Sequence, residues 1–309
     1  MSAKDTYDVV IIGGGPAGLS AAIYTARDRF RSLLLERAII GGQILNTEQV
    51  ENYPGFSAGI SGEQLTKQMH EQATKYGLET VMADVTGLDL PAKPKIIKTG
   101  SGDFTARAVV IASGAERQKL DVPGEDQYVG RGVSFCATCD AAFFPEKTVA
   151  VVGGGNAAIT EALHLAKFAA KVVIIHRRDQ LRATRVVQER AFAEPKISFL
   201  WDTVVMEISG GDFVEKLKLR NVKSNEESTM AVDGVFIAVG LVPNTAFLQG
   251  AVPLDGRGSV LADAHMATNI PGVFAAGDIR SGSGWQVITA AGDGAMAAMS
   301  VAHYLEENA

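Results

Sequence analysis

Two stretches of this 309-residue chain read alike at a fixed offset, Gly13 of the first aligning with Gly153 of the second. Tyr7 opens YDVVIIGGGPAGLSAAIYTAR, and Lys147 opens KTVAVVGGGNAAITEALHLAK. Each is a β-branched apolar run, then clustered glycines, then apolar residues at a helical period. A second short apolar run follows each, SLLLER at 32–37 and KVVIIHRR at 171–178. Strand, glycine turn, helix and strand within about 30 residues is the βαβ unit of mononucleotide-binding sheets. Two such units this far apart imply two related domains and not a solenoid.

Further apolar runs close the two halves, AVVIASGA at 108–115 and GVFIAVGLVPN at 234–244. The stretch after 245, with a third strand–glycine–helix segment from Gly272, resembles neither beginning. It is expected to return and complete the first domain. The predicted fold is α/β, with two Rossmann-like three-layer ββα nucleotide-binding domains, the second inserted into the first. The first domain is placed at 1–116 and 246–309, the second at 117–245. An apolar share of 47% suffices for two sizeable cores.

The glycines carry a specific demand. Gly13-x-Gly15-x-x-Gly18 fits G-x-G-x-x-G, with Pro16 and Ala17 between the last two. Such glycines permit a tight turn, close approach to a pyrophosphate and close helix–strand packing, while the helix N-terminus offers N–H groups to phosphate. At the end of the following strand stands Glu36. A carboxylate there accepts hydrogen bonds from ribose hydroxyls and repels a 2′-phosphate. The first site is therefore read as taking an unphosphorylated adenosine, as in FAD or NAD.

The same offset from Gly153 leads to His176, followed by Arg177 and Arg178, with Arg182 beyond. Guanidinium groups chelate phosphate and stay charged at any working pH. The second turn, Gly153-x-Gly155-x-x-Ala158, is read as an NADPH site. A basic run of this kind is more often a solvated turn; the offset shared with Glu36 decides for the nucleotide. The pairing of opposite ribose chemistries points to FAD in the first site and NADPH in the second. GVFAAGDI at 272–279 supports it, because Gly277-Asp278 sets a carboxylate where a flavin's ribityl hydroxyls need one. A helix starting near Gln286–Thr289 would aim its positive end at the flavin ring.

Cys136 and Cys139 in SFCATCD are the only cysteines. A structural zinc site needs four ligands, and His70, His164, His176, His265 and His303 show no ligand spacing, so no metal is expected. A structural disulfide across so short a loop would stabilise little. A redox dithiol remains, the expected reading of C-x-x-C near a βαβ unit. CATCDAAFF reads as a helix start, where the dipole raises the thiolate fraction. Asp140 is placed to carry protons during thiol–disulfide exchange, or to serve as an N-terminal helix charge.

A net charge of −6 argues against a general nucleic-acid partner. The N-terminal residues lack the long apolar segment of a signal peptide. VITAAGDGAMAAMSVAHYL is interrupted by Asp293 and reads as a buried helix, not a membrane span. A cytoplasmic enzyme is expected.

In order along nearly the whole chain, GGGPAGLSAA, GGQI, VENYPG, VVIASGA, CATCD, VVGGGNAAITEAL, HRRDQLRA, GVFIAVGLVPNT and GVFAAGD with QVITAAGDGAMAA resemble the low-molecular-weight thioredoxin reductases. These belong to the flavoprotein pyridine nucleotide disulfide oxidoreductase superfamily. The resemblance implies a homodimer that passes electrons from NADPH to FAD, then to the Cys136–Cys139 disulfide, then to oxidised thioredoxin or a thioredoxin-like protein. It implies that Cys139 faces the flavin, that Cys136 attacks the partner disulfide, and that Asp140 is the acid/base. It places FAD against Gly13, Gly15, Pro16, Ala17, Gly18, Glu36, Arg37, Gly42, Gln43, Asn52, Val85, Ala112, Ser113, Gly114, Gly277, Asp278, Gln286, Val287 and Ile288. It places NADPH against Gly154, Gly155, Asn156, Ala157, Glu161, His176, Arg177, Arg178 and Arg182. It also implies a rotation of the second domain, since its dithiol and its nicotinamide must each meet the flavin. Trp285 departs from the pattern, where many relatives carry Arg, and so does Ala141, where Gly is frequent.

Other readings have specific discriminators. A reductase of another disulfide, or one with another donor, stays open; Arg177 and Arg178 favour NADPH. A dithiol oxidase passing electrons to oxygen has no use for HRRDQLR. A nucleotide-sensing binding protein has no use for Cys136, Cys139 and Asp140.

Overall fold

The computed structural model describes residues 6–308 except Glu48 and Gln249. Residues 1–5, on which part of the N-terminal reading rests, lie outside the described residues. The chain forms two compact units, Met1–Glu116 with Val242–Ala309, and Arg117–Leu241.

The first unit is built on a parallel sheet. Strands β1 (Thr6–Ile12), β2 (Ser32–Glu36) and β3 (Glu79–Met82) lie in the order β3-β2-β1, and β6 (Phe104–Ile111) continues it beyond β1. One edge of β6 is shared: its first residues pair antiparallel with β5 (Lys95–Thr99), which pairs with β4 (Val85–Asp89). Its last residues pair parallel with β17 (Val273–Ala275), the strand that returns from the far end of the chain. Val9, Val10 and Ile11 are wholly buried. Strands covered on both faces read as unbroken apolar runs, which is why DVVII carries no alternation.

Helices α1 (Pro16–Arg27), α2 (Gly62–Lys75) and α6 (Val287–Glu307) pack on one face, against Val9, Ile11, Leu34 and Val110. Val10, Leu33, Leu35 and Val109 face the other way, onto a second core with Leu90, Ile97, Leu248 and Val252. Small residues let α1 and α6 touch: a Cβ on Gly294 would lie 2.0 Å from the Ala17 carbonyl oxygen. Ser61 caps α2 by accepting the Gln64 N–H at 3.1 Å.

The second unit repeats the plan around a main sheet whose strands all run parallel. β8 (Val133–Ser134), β9 (Thr148–Val152), β10 (Lys171–Ile175), β11 (Ile197–Leu200) and β15 (Gly234–Ile237) lie in the order β11-β10-β9-β15-β8. Helices α3 (Ala137–Asp140), α4 (Asn156–Leu165) and α5 (Arg185–Ala193) contribute to the core on one face. An antiparallel sheet of β12 (Thr203–Gly210), β13 (Val214–Asn221) and β14 (Glu227–Ala231) closes the other through Val205, Ile208, Leu217 and Leu219. Each unit is thus a helix layer, a parallel sheet and a smaller antiparallel layer.

The chain crosses between the units in β7 (Ala115–Arg117) and β16 (Leu241–Pro243), which pair with each other. The return falls at Val242 and not at 246. Asn244 is the reason: its N–H donates to the Gly114 carbonyl at 2.9 Å, and its side-chain amide donates to the Ser113 carbonyl at 2.9 Å. The helix expected over CATCDAAFF is shorter than read. It is one turn, α3, followed by a 3₁₀ turn at Ala141–Phe143. Pro145 stops it by keeping Phe144 out of helical backbone, at φ −118°.

Candidate nucleotide and redox sites

In the first unit, β1 runs into the glycine turn and α1 leaves it, with Gly15 as N-cap and Pro16 at the first helical position. Gly13 has φ 109°, and a Cβ there would sit 2.3 Å from the Ala112 carbonyl oxygen. Gly18 is required by packing, since its Cβ would meet the Gly13 carbonyl oxygen at 1.9 Å. Gly15 differs: its nearest neighbour is the Gly42 Cα at 4.0 Å, and no side chain caps α1. The first N–H groups of the helix are left for an anion, and the space beside Gly15 admits one.

Glu36, at the end of β2, holds this turn. Its carboxylate accepts the Gly14 N–H at 2.8 Å through Oε2 and the Ala38 N–H at 2.9 Å through Oε1. Each oxygen keeps a second lone pair for a ribose hydroxyl. Arg37 forms an ion pair with Glu116. Gly42, at φ 66°, approaches Gly15 from the short 3₁₀ turn that also carries the exposed Gln43. Ala112 lies buried at the end of β6, with Ser113 and Gly114 following it, and Ser113 Oγ donates to the Asn244 carbonyl at 3.1 Å. Val85 is buried at the start of β4, in the core behind β2.

The returning segment adds Gly277 and Asp278 just after β17. Burial pushes the Asp278 carboxyl up from its ordinary value, while the Ser283 hydroxyl, donating to it at 2.8 Å, pulls the other way. Asp293 holds the loop from within α6: it accepts the Gly277 N–H at 3.1 Å, and its two oxygens take Arg280 Nε at 2.6 Å and Nη2 at 2.8 Å. Asp293 thus does more than interrupt the apolar run of α6. Gln286 caps α6, forms a capping box with Thr289, and accepts the Asn52 amide at 2.9 Å. Val287 and Ile288 form the first turn. Trp285 adopts φ 53°, rare for an aromatic residue, with its N–H on Ser283 Oγ at 3.2 Å.

In the second unit, Gly155 caps α4, and nothing lies within 4 Å of where its Cβ would be. Ala157 is exposed on the first turn. Asn156 Oδ1 accepts the Thr184 N–H at 2.7 Å, and the Arg182 N–H donates to the Gly154 carbonyl at 2.6 Å, so the basic loop bends over the glycine turn. His176 is buried at the end of β10, its Nε2 3.1 Å from the Gln180 carbonyl. Burial holds its pKa below the ordinary value. Arg177, Arg178 and Arg182 are exposed beside it.

Glu161, expected against NADPH, is buried on α4 and paired with Arg117 within the same unit, and among the described residues its Oε2 has no partner. Burial raises its pKa, and Arg117 opposes the rise. Arg117 and Asn244 were not singled out in the sequence, because each acts through a partner far away in the chain.

Cys136 and Cys139 form a disulfide with Cα atoms 5.4 Å apart. Cys136 is the N-cap of α3, its Sγ accepting the Cys139 N–H at 3.2 Å. Ser134 fixes the approach by accepting the Cys136 N–H at 3.0 Å, a serine turn that the Ser-x-Cys spacing itself signals. Cys136 is half-buried and Cys139 exposed. The Asp140 N–H donates to the Cys136 carbonyl at 3.2 Å, and among the described residues its carboxylate has no partner. A disulfide at a sheet edge with an unengaged carboxylate can accept two electrons and exchange protons. Among the described residues no group of three or more His, Cys, Asp or Glu side chains could hold a metal ion. None of their helices is long and apolar enough to cross a membrane.

Two glycine turns, one tied by a carboxylate and one beside three arginines, together with one disulfide, are what the fold presents. The family model for pyridine nucleotide-disulphide oxidoreductases matches residues 7–295, and the chain belongs to that family. Among individual proteins it is 47% identical over 308 residues to the thioredoxin reductase of Bacillus subtilis strain 168, covering 99% of this chain and 97% of that one. It is similar in structure to the thioredoxin reductase of Lactococcus lactis, at 46% identity and TM-score 0.96, over 98% and 100% of the two chains. The thioredoxin reductase of T. acidophilum gives 35% identity and TM-score 0.93, over 99% and 100%. The chain is an FAD- and NADPH-using disulfide oxidoreductase with two Rossmann-like domains.

Proposed function

We propose that this chain is an NADPH-dependent thioredoxin-disulfide reductase, acting as a cytoplasmic homodimer, with FAD in the first domain and NADPH in the second. The observation that carries it is the disulfide built into the domain whose glycine turn lies under the arginine loop that follows β10. In the first domain the residues fit an FAD: uncapped α1 N–H groups with open space at Gly15 for the pyrophosphate, Glu36 for the ribose, Asp278 for the ribityl chain. In the second, Gly155 and the α4 N-terminus fit the NADPH pyrophosphate, and Arg177, Arg178 and Arg182 fit the 2′-phosphate. FAD, when bound, supplies the two-electron relay between nicotinamide and disulfide.

The protein's own residues do the exchange. The Cys136–Cys139 bond takes up two electrons and two protons and opens to a dithiol. Cys136, as thiolate, attacks one sulfur of the thioredoxin disulfide, and the departing thioredoxin sulfur takes a proton. Cys139 attacks Cys136 in the mixed disulfide, restoring the intramolecular bond and releasing dithiol thioredoxin. The Asp140 carboxylate takes and returns the protons these steps require. The same reading includes a rotation of the second domain about its two connections, which brings nicotinamide and disulfide in turn to the flavin.

The test is anaerobic mixing of the yellow holoenzyme with NADPH, with thioredoxin and a disulfide dye present or absent. Thioredoxin-dependent dye reduction supports the reading; flavin reduction without it refutes the partner.

A further inference from the structure

The loop that follows β10 holds three arginines and one acid. Arg177, Arg178 and Arg182 are exposed, and the ion pairs of the described residues give none of them a carboxylate partner. Asp179 stands among them, the residue most suited by sequence to pair with a guanidinium or to repel a phosphate. It does neither. Its Oδ2 lies 3.1 Å from Nζ of Lys223, in the turn between β13 and β14.

The same ammonium meets a second carboxylate, Asp202 Oδ2, at 2.9 Å. Asp202 belongs to the basic loop's surroundings: its N–H donates to the Arg178 carbonyl at 3.3 Å, and its own carbonyl accepts the Val222 N–H at 2.6 Å. The Lys223 backbone is set by its N–H on Asn221 Oδ1 at 2.9 Å. One lysine from the antiparallel layer therefore occupies both acids next to the arginines. The Lys223 and Asp179 side chains are 62% and 63% exposed, so the pair contributes little to stability. Its effect lies in the local field: with Asp179 engaged elsewhere, the guanidiniums keep their full donor set and net positive charge.

We propose that Lys223 is a specificity-determining positioning residue for the nucleotide 2′-phosphate, acting by holding Asp179 and Asp202 away from Arg177, Arg178 and Arg182. This rests on the reading of the second domain as the NADPH site. Lys223 does not touch the phosphate; it sets how much of the arginine charge is available to it. The effect shrinks as salt screens it.

The test uses oxidised holoenzyme, with NADP⁺ and NAD⁺ binding measured by calorimetry at low and high salt. Lys223→Gln is expected to weaken NADP⁺ binding about three- to tenfold at low salt and to leave NAD⁺ unchanged. Lys223→Arg should restore NADP⁺ binding. Asp179→Asn combined with Lys223→Gln should recover most of the loss, because the acid that Lys223 restrains is then uncharged. Wild-type NADP⁺ affinity in Lys223→Gln, in a protein that prefers NADP⁺ to NAD⁺, overturns the proposal alone. So does a double variant as weak as Lys223→Gln, which would mean that the lysine acts on the phosphate directly or on the loop's fold. Wild type without any preference for NADP⁺ overturns the NADPH reading and this proposal with it.

Discussion

Glu36 and His176 stand at the same place in the two domains and treat the glycine turn beside them in opposite ways. The Glu36 carboxylate accepts the Gly14 N–H at 2.8 Å. The His176 ring packs so closely on Gly154 that a Cβ there would lie 2.4 Å from Cε1. One turn is tied by an anion, which favours ribose hydroxyls. The other is covered by an imidazole that burial keeps toward its neutral form, leaving the charge to the arginines.

Replacing Glu36 tests the first half of this relationship. Glu36→Ala removes the acceptor for two backbone N–H groups at once. The expected cost is about 1–3 kcal/mol in the first domain. FAD affinity should fall by tenfold or more, read as fluorescence rising when bound flavin is released, and NADP⁺ binding should not change. An Ala variant that keeps its flavin through dialysis would show that the ribose is held elsewhere.

Gly154→Ala tests the second half. The added methyl collides with the His176 ring, and overpacking of this kind costs about 1–3 kcal/mol. Thermal unfolding should show the loss, and His176→Ala should recover part of it by vacating the space. If Gly154→Ala melts with wild type, the ring does not pack on the turn.

Asp278 predicts a conflict between stability and cofactor binding. Its pKa is raised in the fold, so its contribution is present below the ordinary carboxylate value and lost as pH rises through the folded pKa. At neutral pH the ionised carboxylate therefore costs the apoprotein stability. Asp278→Asn should melt higher than wild type as apoprotein, by about 2–4 °C per kcal/mol relieved. The gap should widen from pH 4 to pH 8, while FAD binds more weakly. An Asn apoprotein that is no more stable at pH 8 than wild type would remove the burial argument.

Glu161 titrates in the same sense. Burial raises its pKa, and Arg117 only partly offsets this. Its contribution is present below the ordinary Glu value and fades as pH rises through the folded one. The melting temperature of Glu161→Gln relative to wild type should therefore rise with pH across this range. A difference independent of pH would mean that Arg117 keeps the carboxylate ionised throughout.

The glycine turns, Glu36 and His176 were legible because their spacing is local and recurs along the chain. Pro145 was visible too, and its brake on the helix after Cys139 could have been read from FFPE. Other features could not be. Arg280 and Asp293 are 13 residues apart, and Arg117 and Glu161 are 44 apart, as are Lys223 and Asp179. Each pair forms only because chain reversals bring the partners together, and a single sequence contains no signal for which charges will meet. The return at Val242 is of the same kind, since it depends on Asn244 reaching Ser113 and Gly114.

The Cys136–Cys139 pair carries electrons from NADPH onward to thioredoxin. Anaerobic stopped-flow of Cys136→Ser against wild type tests it most directly, following flavin absorbance with NADPH and then adding oxidised thioredoxin. The variant's flavin should be reduced by NADPH at close to the wild-type rate, faster than by NADH. Thioredoxin reduction by the variant should fall by at least about a thousandfold, the scale of what loss of an essential nucleophile removes. A Cys136→Ser enzyme that still reduces thioredoxin at the wild-type rate would contradict it.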